Sequence, residues 1–499
     1  MPVLWGRPLI IEPISTQRKL IHKKTKPDYH LYRRSFTQVN HQINCMKKLL
    51  SFSLIIVVLV SCQHKDYRNF TNDPVLFSKT VKKLNDIVLF NNFPPVIASR
   101  NYAYATIAAY ECVAAGDTNY QSLSGQLRQL PPMPRPTAQP LDYNLASLLA
   151  FVKVGNAVTF PEGVLMDYYD ELKANAKKAG MSSDILENTV AFSDTISASI
   201  MKWSKGDNYA QTRSAEKFTV TTEEGRWVPT PPAYAQAMEP HWCDIRTMVL
   251  DSAAECRPIL PPVYNVLNKN GTFYKEMMEV KNVGDSLTDD QKHVADFFDD
   301  NPFKLNVSGH LMFATKKFSP PGHWMNIVGI AAQQSGADFN KTVSAYAETA
   351  IALFDGFIGC WKIKFETNVI RPETVINKFV DPDWKPYIQT PPFPSYVSGH
   401  SVISSAAAEV MTHNFGENFA FTDTSNLEFG IANRSFKSFH DAALEASWSR
   451  LYGGIHYRSD LQEGNTMGKK IGEIIVSRLC MDKRRDKAPK KELIAAGKK

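Results

Sequence analysis

The spacing of apolar side chains along this chain is helical almost throughout. In VLFSKTVKKLNDIVLF, residues 75–90, apolar positions recur every three to four residues, the period that places them on one face of an α-helix. PPVIASRNYAYATIAAYECVAAG, residues 94–116, opens on a double proline suited to a helix start and then turns alanine-rich, a composition for close packing. After the proline-rich connector LPPMPRPTAQP the helical pattern returns over residues 141–154 and again over 186–203. Residues 205–262 lose it, and the prolines of VPTPPAY and ILPPVY make that stretch read as a long surface excursion. At Thr288 the pattern resumes with a capping signal, Thr288 answered three residues on by Gln291, ahead of HVADFFDD. Further helices are predicted over 325–334, 341–364, 401–415, 439–451 and 460–479. Strand signals are scarce, and no repeat of 20 to 50 residues is visible. The expected fold is all-α, one helical domain over residues 70–482 followed by a basic tail over 483–499.

Composition adds little until it is located along the chain. At 499 residues and 43% hydrophobic content, a large core can form without disulfides or metals. The formal net charge of +7 suggests an anionic partner, but residues 1–45 hold eight Lys/Arg against two Asp/Glu and so account for +6 of it. From Met46 onward the chain is nearly neutral, which removes the case for nucleic acid. Those 45 residues show no clear periodicity and read as an extension upstream of the true start.

Met46 is followed by Lys47-Lys48, an apolar run over 49–60 too short to span a bilayer, and Leu59-Val60-Ser61-Cys62. Residues 46–61 resemble a bacterial lipoprotein signal with Cys62 as the lipidated residue. That implies export to the cell envelope, with a lipid anchor as the only attachment to a membrane, since no later apolar run suggests a span. The other cysteines past Met46 are Cys112, Cys243, Cys256, Cys360 and Cys480, with no CxxC or CxxH spacing, so no zinc site is expected. Cys243 and Cys256 are the one close pair that export would allow to bridge, though an odd count argues against a disulfide framework.

Three segments carry chemistry. In the first, Lys364 and Arg371 stand seven residues apart, nearly two helical turns, which would put both cations on one face of a helix ended by Pro372. Two cations so placed repel each other, and an anion between them would remove that cost. The second is Phe393-Pro394-Ser395-Tyr396-Val397-Ser398-Gly399-His400, leading into helical SVISSAAAEVM. Ser398 and Gly399 would lie at a helix N-terminus, where free N–H groups and the helix dipole favour an anion, and His400 titrates in the range useful for proton transfer. In the third, Ser449-Arg450-LYGGI-His456-YRS-Asp460, the two glycines loosen the chain, and His456 and Asp460 stand at i, i+4 spacing, so the carboxylate can fix one tautomer of the imidazole. Such a histidine suits nucleophilic attack or metal ligation. A second Ser-Gly-His, at Ser308-Gly309-His310, lacks both flanking segments and reads as an ordinary loop.

The ordered pattern K-x6-R-P, S-G-H, S-R-x5-H-x3-D resembles the signature of the superfamily that joins vanadium-dependent haloperoxidases to type 2 phosphatidic acid phosphatases and bacterial acid phosphatases. The likeness covers roughly residues 75–480 and is strongest over 355–465. It implies a helical bundle holding a tetrahedral oxyanion, vanadate or phosphate. By that resemblance Lys364, Arg371 and Arg450 hold the oxyanion oxygens with the Ser398 hydroxyl and the Gly399 N–H. His400 is then the acid/base, and His456, backed by Asp460, is the vanadium ligand or the phosphate-attacking nucleophile. Trp361, Phe393 in PPFPSYVSGHS, Asp299 as a partner for Arg450, and SPPGHW over 319–324 look like the haloperoxidase branch, although Trp361 and Phe393 also suit a core, Asp299 a solvated surface and His323 a helix start. The reading favoured is vanadate-dependent oxidation of halide by hydrogen peroxide, with bromide oxidation expected on reconstitution. The alternative is an exported phosphomonoesterase acting on a phosphate ester at the same site. A protein that only sequesters oxyanions would not need His400 and His456.

Overall fold

The computed structural model describes residues 66–159, 163–301, 304–308, 311–315 and 317–486, of which 304–308 and 311–315 are described by backbone alone. The extension over 1–45, the 46–61 signal, Cys62, Gly309, His310 and the tail after 486 lie outside the described residues. Within the compact unit Lys65–Lys499 the elements are α1 (Pro74–Phe90), α2 (Pro95–Gly116), α3 (Tyr143–Val158), α4 (Val164–Lys178), α5 (Ser183–Ser204), α6 (Thr272–Asp285) and α7 (Asp289–Phe297). A hairpin of β1 (Lys304–Ser308) and β2 (Leu311–Thr315) follows, then α8 (Pro320–Gln334), α9 (Phe339–Thr367), α10 (Pro372–Phe379) and α11 (Gly399–Phe415). A second hairpin, β3 (Phe421–Asp423) and β4 (Arg434–Phe436), precedes α12 (Phe439–Tyr452) and α13 (Arg458–Arg478).

Local chemistry sets most helix starts. The carboxylates of Asp73, Asp142 and Asp338 and the hydroxyls of Ser182, Ser398 and Ser438 each accept from a backbone N–H of the first turn, satisfying donors that the helix itself cannot. Thr288 and Gln291 form the reciprocal capping box that their spacing predicts. The segments of apolar periodicity are all helical, usually reaching one to five residues beyond the predicted bounds. Helices α4 and α6 lie in stretches for which the pattern predicts none.

The long α9 runs through the centre, packed by α2 on one side and α11 on the other, and α11 in turn is covered by α12 and α13. Its residues from Thr342 to Trp361 are buried, which is the pattern of a helix apolar nearly all round. No membrane-length apolar segment is expected past the signal, yet α9 meets the length and hydropathy of one; it is instead the buried core helix of the bundle. The tight seam between α11 and α13 comes from Gly464, Gly468 and Gly472, one per turn on α13. A Cβ at Gly468 would stand 2.1 Å from the Val402 carbonyl oxygen, and one at Gly472 would stand 2.8 Å from that of Ala406.

Residues 205–262 are irregular, as expected, but not a surface excursion. Trp227, Trp242 and Leu250 are fully buried, and three consecutive N–H groups, those of Met248, Val249 and Leu250, bond to the buried carboxylate of Asp355 on α9 at 2.7–3.0 Å. Asp355 thereby ties this part of the segment to the core. Cys243 and Cys256 do not bridge; both are free thiols.

Candidate active site

The three motif segments meet at one cavity of about 420 Å³, lined by Gly399, His400, Arg450 and His456 together with Trp361, Phe393 and Asp299. Lys364, Arg371, Ser398 and Asp460 are buried around these residues rather than lining the cavity. Apolar walls come from Phe357, Ile388, Pro391 and Pro392, and from Thr230 to Met238 of the irregular segment, held in place where Trp361 Nε1 donates to the Met238 carbonyl at 3.1 Å.

Lys364 and Arg371 reach each other by a route the spacing does not predict. Helix α9 ends just past Lys364, where Asn368 adopts a left-handed conformation (φ 50°), and Arg371 is the N-cap of α10. Pro372 therefore starts a helix, at the position where its missing N–H costs nothing, instead of ending one. Both cations lie over the ring of Phe393, each 5.0 Å from its centroid. Lys364 Nζ donates to the carbonyls of Pro394 and Ser395, both at 2.9 Å, which leaves one of its three protons. Arg371 donates from Nε to the Phe393 carbonyl at 2.8 Å and from Nη1 to the Ile455 carbonyl at 2.9 Å, while its buried Nη2 has no partner among the described residues.

His456 and Asp460 make the contact their spacing suggests, but not on one helix. Arg450 is in the last turn of α12, Gly454 takes a positive φ of 78°, and His456 sits in the turn before α13, which begins at Arg458. Asp460, in the first turn of α13, accepts from the Tyr457 N–H at 3.2 Å and from His456 Nδ1 at 2.8 Å, with the Ser395 hydroxyl also donating to it. One carboxylate caps the helix and fixes the Nδ1–H tautomer. The Nε2 lone pair then points away from Asp460, toward Arg371 Nη1 at 3.1 Å.

Ser398 caps α11, its Oγ accepting from the Ser401 N–H at 3.3 Å, so Gly399 and His400 occupy the first turn, where N–H groups lack helical partners. Arg450 donates to the Phe298 carbonyl and, from Nε, to Ser449 Oγ at 2.8 Å. Asp299 does act on Arg450 electrostatically, but so does its neighbour Asp300, and Asp299 also lies 3.8 Å from Lys317 Nζ.

The electrostatics are those of a buried cationic cage. Burial, with Arg371 nearby, pushes Lys364 down to about 7. Burial pushes Arg371 and Arg450 down to about 10. Burial and the surrounding cations hold His400 and His456 well below the ordinary histidine value, and burial lifts Asp460 to about 6. Burial opposes the charge on every cation of the set, a cost that an anion held among them would offset. Asp300 escapes the sequence reading, and His323 enters it only as a helix start or a pocket residue of SPPGHW, without its partners. Asp300 stands 3.8 Å from His400 Nε2, and His323 is bonded to Asp300. The adjacent acids of FFDD and the histidine of SPPGHW are the available signals.

Residues 344–481 match the family model described as the VCPO second helical-bundle domain. A solved bacterial vanadium-dependent iodoperoxidase is 41% identical, over 82% of this chain and 97% of that one, with a TM-score of 0.78. A holo-type bacterial vanadium-dependent chloroperoxidase shares the fold at 14% identity, over 81% of this chain and 93% of that one, with a TM-score of 0.59. No curated protein sequence matches the chain. Identity of 41% sustained across nearly the whole of the iodoperoxidase, together with the signature segments converging on one cage, places this chain in the vanadium-dependent haloperoxidase family.

Proposed function

We propose that this chain is a vanadate-dependent haloperoxidase that oxidises halide with hydrogen peroxide, iodide being the first halide to try because the 41% identical relative is an iodoperoxidase. The observation that carries the reading is the set of donors left over in the cage: one proton of Lys364, Nη2 of Arg371 and the N–H groups of Gly399 and His400 at the start of α11. This donor set fits a tetrahedral oxyanion, and His456 Nε2, kept unprotonated by the Nδ1–H···Asp460 bond and accepting from Arg371 Nη1 at 3.1 Å, fits a metal ligand once that contact is exchanged. Lys364, Arg371, Arg450, Ser398 Oγ and Gly399 N–H would hold the oxygens. Bound vanadate supplies a Lewis acid that activates peroxide for two-electron transfer without changing its own oxidation state.

The remaining work falls to the side chains. His400 is in its neutral form, because burial and then Arg450 oppose its protonation, so its Nε2 can take the proton of an incoming peroxide. Phe357, Trp361 and Phe393 wall the chamber and limit water. The balance is two electrons from halide to peroxide, with one proton consumed, giving hypohalous acid and water. We also read the mature chain as exported and anchored through Cys62.

The test is reconstitution of the purified protein with orthovanadate, followed by peroxide-dependent iodide and bromide oxidation, with inorganic phosphate as competitor. Halide oxidation that requires vanadate and falls with phosphate is expected. A protein that oxidises no halide when loaded, but cleaves phosphate esters when vanadate-free and is inhibited by vanadate, is a phosphomonoesterase with His456 as nucleophile.

A further inference from the structure

His323 has no place in the anion cage, yet both of its ring nitrogens are bonded to carboxylates. It lies in the first turns of α8, 1% exposed, with Nδ1 at 3.0 and 3.2 Å from the two oxygens of Asp300 and Nε2 at 2.8 Å from Asp423 Oδ2 on β3. Two carboxylate acceptors require a proton on each nitrogen, hence an imidazolium. Its pKa is accordingly pushed up to about 10: burial opposes the charge, and Asp300 followed by Asp423 outweigh it. The ring of Phe298 stacks on it and that of Phe297 packs against it, each with centroids 5.5 Å away. The N-terminal end of a helix disfavours a cation, so a helix-start role does not account for this residue.

Asp300 also faces the other way. Its Oδ2 is 3.8 Å from His400 Nε2, a buried atom with no hydrogen-bond partner among the described residues. The other charged groups acting on His400 are Arg450 on α12, Lys364 on α9 and His323 itself, and all three resist its protonation. Lys317 is engaged nearby with Asp299. A base ringed by cations needs a fixed anion at the nitrogen that receives the proton. A lone buried Asp300 could turn toward Arg450, whereas His323 holds both its oxygens.

We propose that His323 and Asp423 are positioning residues for His400: through Asp300 they keep a carboxylate oxygen facing Nε2, so that a proton taken up there is stabilised inside a cationic chamber. Asp423 makes this possible by supplying the second carboxylate, without which the imidazolium would be drawn wholly onto Asp300. The inference rests on the acid/base role given to His400, and its first two measurements are made without turnover, so that its failure and a failure of the peroxidase reading can be told apart.

The experiment is histidine-selective ¹⁵N NMR on the full-length, vanadate-free protein. In the wild type, His323 should keep both ring N–H protons and show no titration from pH 6 to 9. Titration of His323 near the ordinary 6.5 would overturn the proposal without any variant. With inorganic phosphate bound to balance the cage, Asp423→Asn should move the His400 midpoint down by roughly half a unit or more, as loss of a nearby buried charge requires. In the vanadate-loaded enzyme the same variant should lower kcat about tenfold and shift the pH profile. An Asp423→Asn protein that melts like the wild type, with the His400 midpoint and the pH profile unmoved, would show that the three groups are only a structural ion pair.

Discussion

Replacing Lys364 by methionine should stabilise the empty protein while destroying much of its affinity for oxyanions. The ammonium is fully buried, and the drop from the ordinary lysine value of 10.5 to about 7 measures how strongly the fold resists its charge. A folded-state pKa below the unfolded one is a destabilisation that is fully present below pH 7 and fades as pH rises from 7 toward 10.5. At pH 6 it corresponds to about 5 kcal/mol. Against that, the thioether side chain would leave the carbonyls of Pro394 and Ser395 without a donor, at roughly 1–2 kcal/mol each. The net expectation is a gain of about 1–3 kcal/mol in urea unfolding at pH 6. Binding should move the other way. A close ion pair at an effective dielectric of 20 is worth about 4 kcal/mol, so phosphate affinity should fall by between about tenfold and a thousandfold. The assay is urea unfolding of both proteins with and without saturating phosphate, plus calorimetric titration. A variant that loses more than about 2 kcal/mol when empty, or that binds phosphate as the wild type does, would refute the reasoning.

Anion binding should raise Lys364 from about 7 back into its charged range, so at pH 8 phosphate should be bound with uptake of close to one proton and at pH 6 Lys364 should contribute little. Calorimetry in two buffers of different ionisation enthalpy measures this, and the uptake at pH 8 should vanish in Lys364→Met. Gly468→Ala should destabilise the fold by about 3 kcal/mol, because the new methyl meets the backbone of Val402 and α13 must move off α11. Gly399→Ala, whose methyl would meet Phe357 and Trp361 at 3.7 and 3.8 Å, should leave stability nearly unchanged, and thermal unfolding distinguishes the two. His456→Ala should abolish turnover with the helical circular-dichroism signal retained; loss of that signal would make His456 a structural residue.

The helices and the cage are legible in the sequence because both rest on local spacing. Amphipathic periods and caps such as Thr288 with Gln291 fix where helices begin, and the three chemical segments retain their order whatever the path between them. What spacing cannot give is that path. Seven residues from Lys364 to Arg371 suit two turns of one helix, but Asn368 breaks it and Arg371 caps the next, so the cations meet across a reversal. His456 and Asp460 touch because Asp460 caps the helix that His456 precedes, not because they share it. The region 205–262 carries only a weak period to read, and one of its anchors is Asp355, which lies 105 residues beyond even the nearest N–H it accepts from, that of Leu250. Asp300 and Asp423 escape notice, and His323 stays undecided between a helix start and a pocket, for a similar reason: single residues on separate elements become a site only when β3 delivers Asp423 to close the chain. The glycines at 464, 468 and 472 are visible as a four-residue repeat, but their meaning needs the partner helix.

The central claim is that His456 Nε2 holds the metal of the bound oxyanion inside this cage. Vanadium K-edge X-ray absorption on the reconstituted protein tests it directly. The account predicts a single nitrogen neighbour in the first shell of an otherwise oxygen-bound vanadium, absent from His456→Ala loaded under the same conditions. An oxygen-only shell in the wild type, or a nitrogen neighbour that survives the substitution, would contradict it.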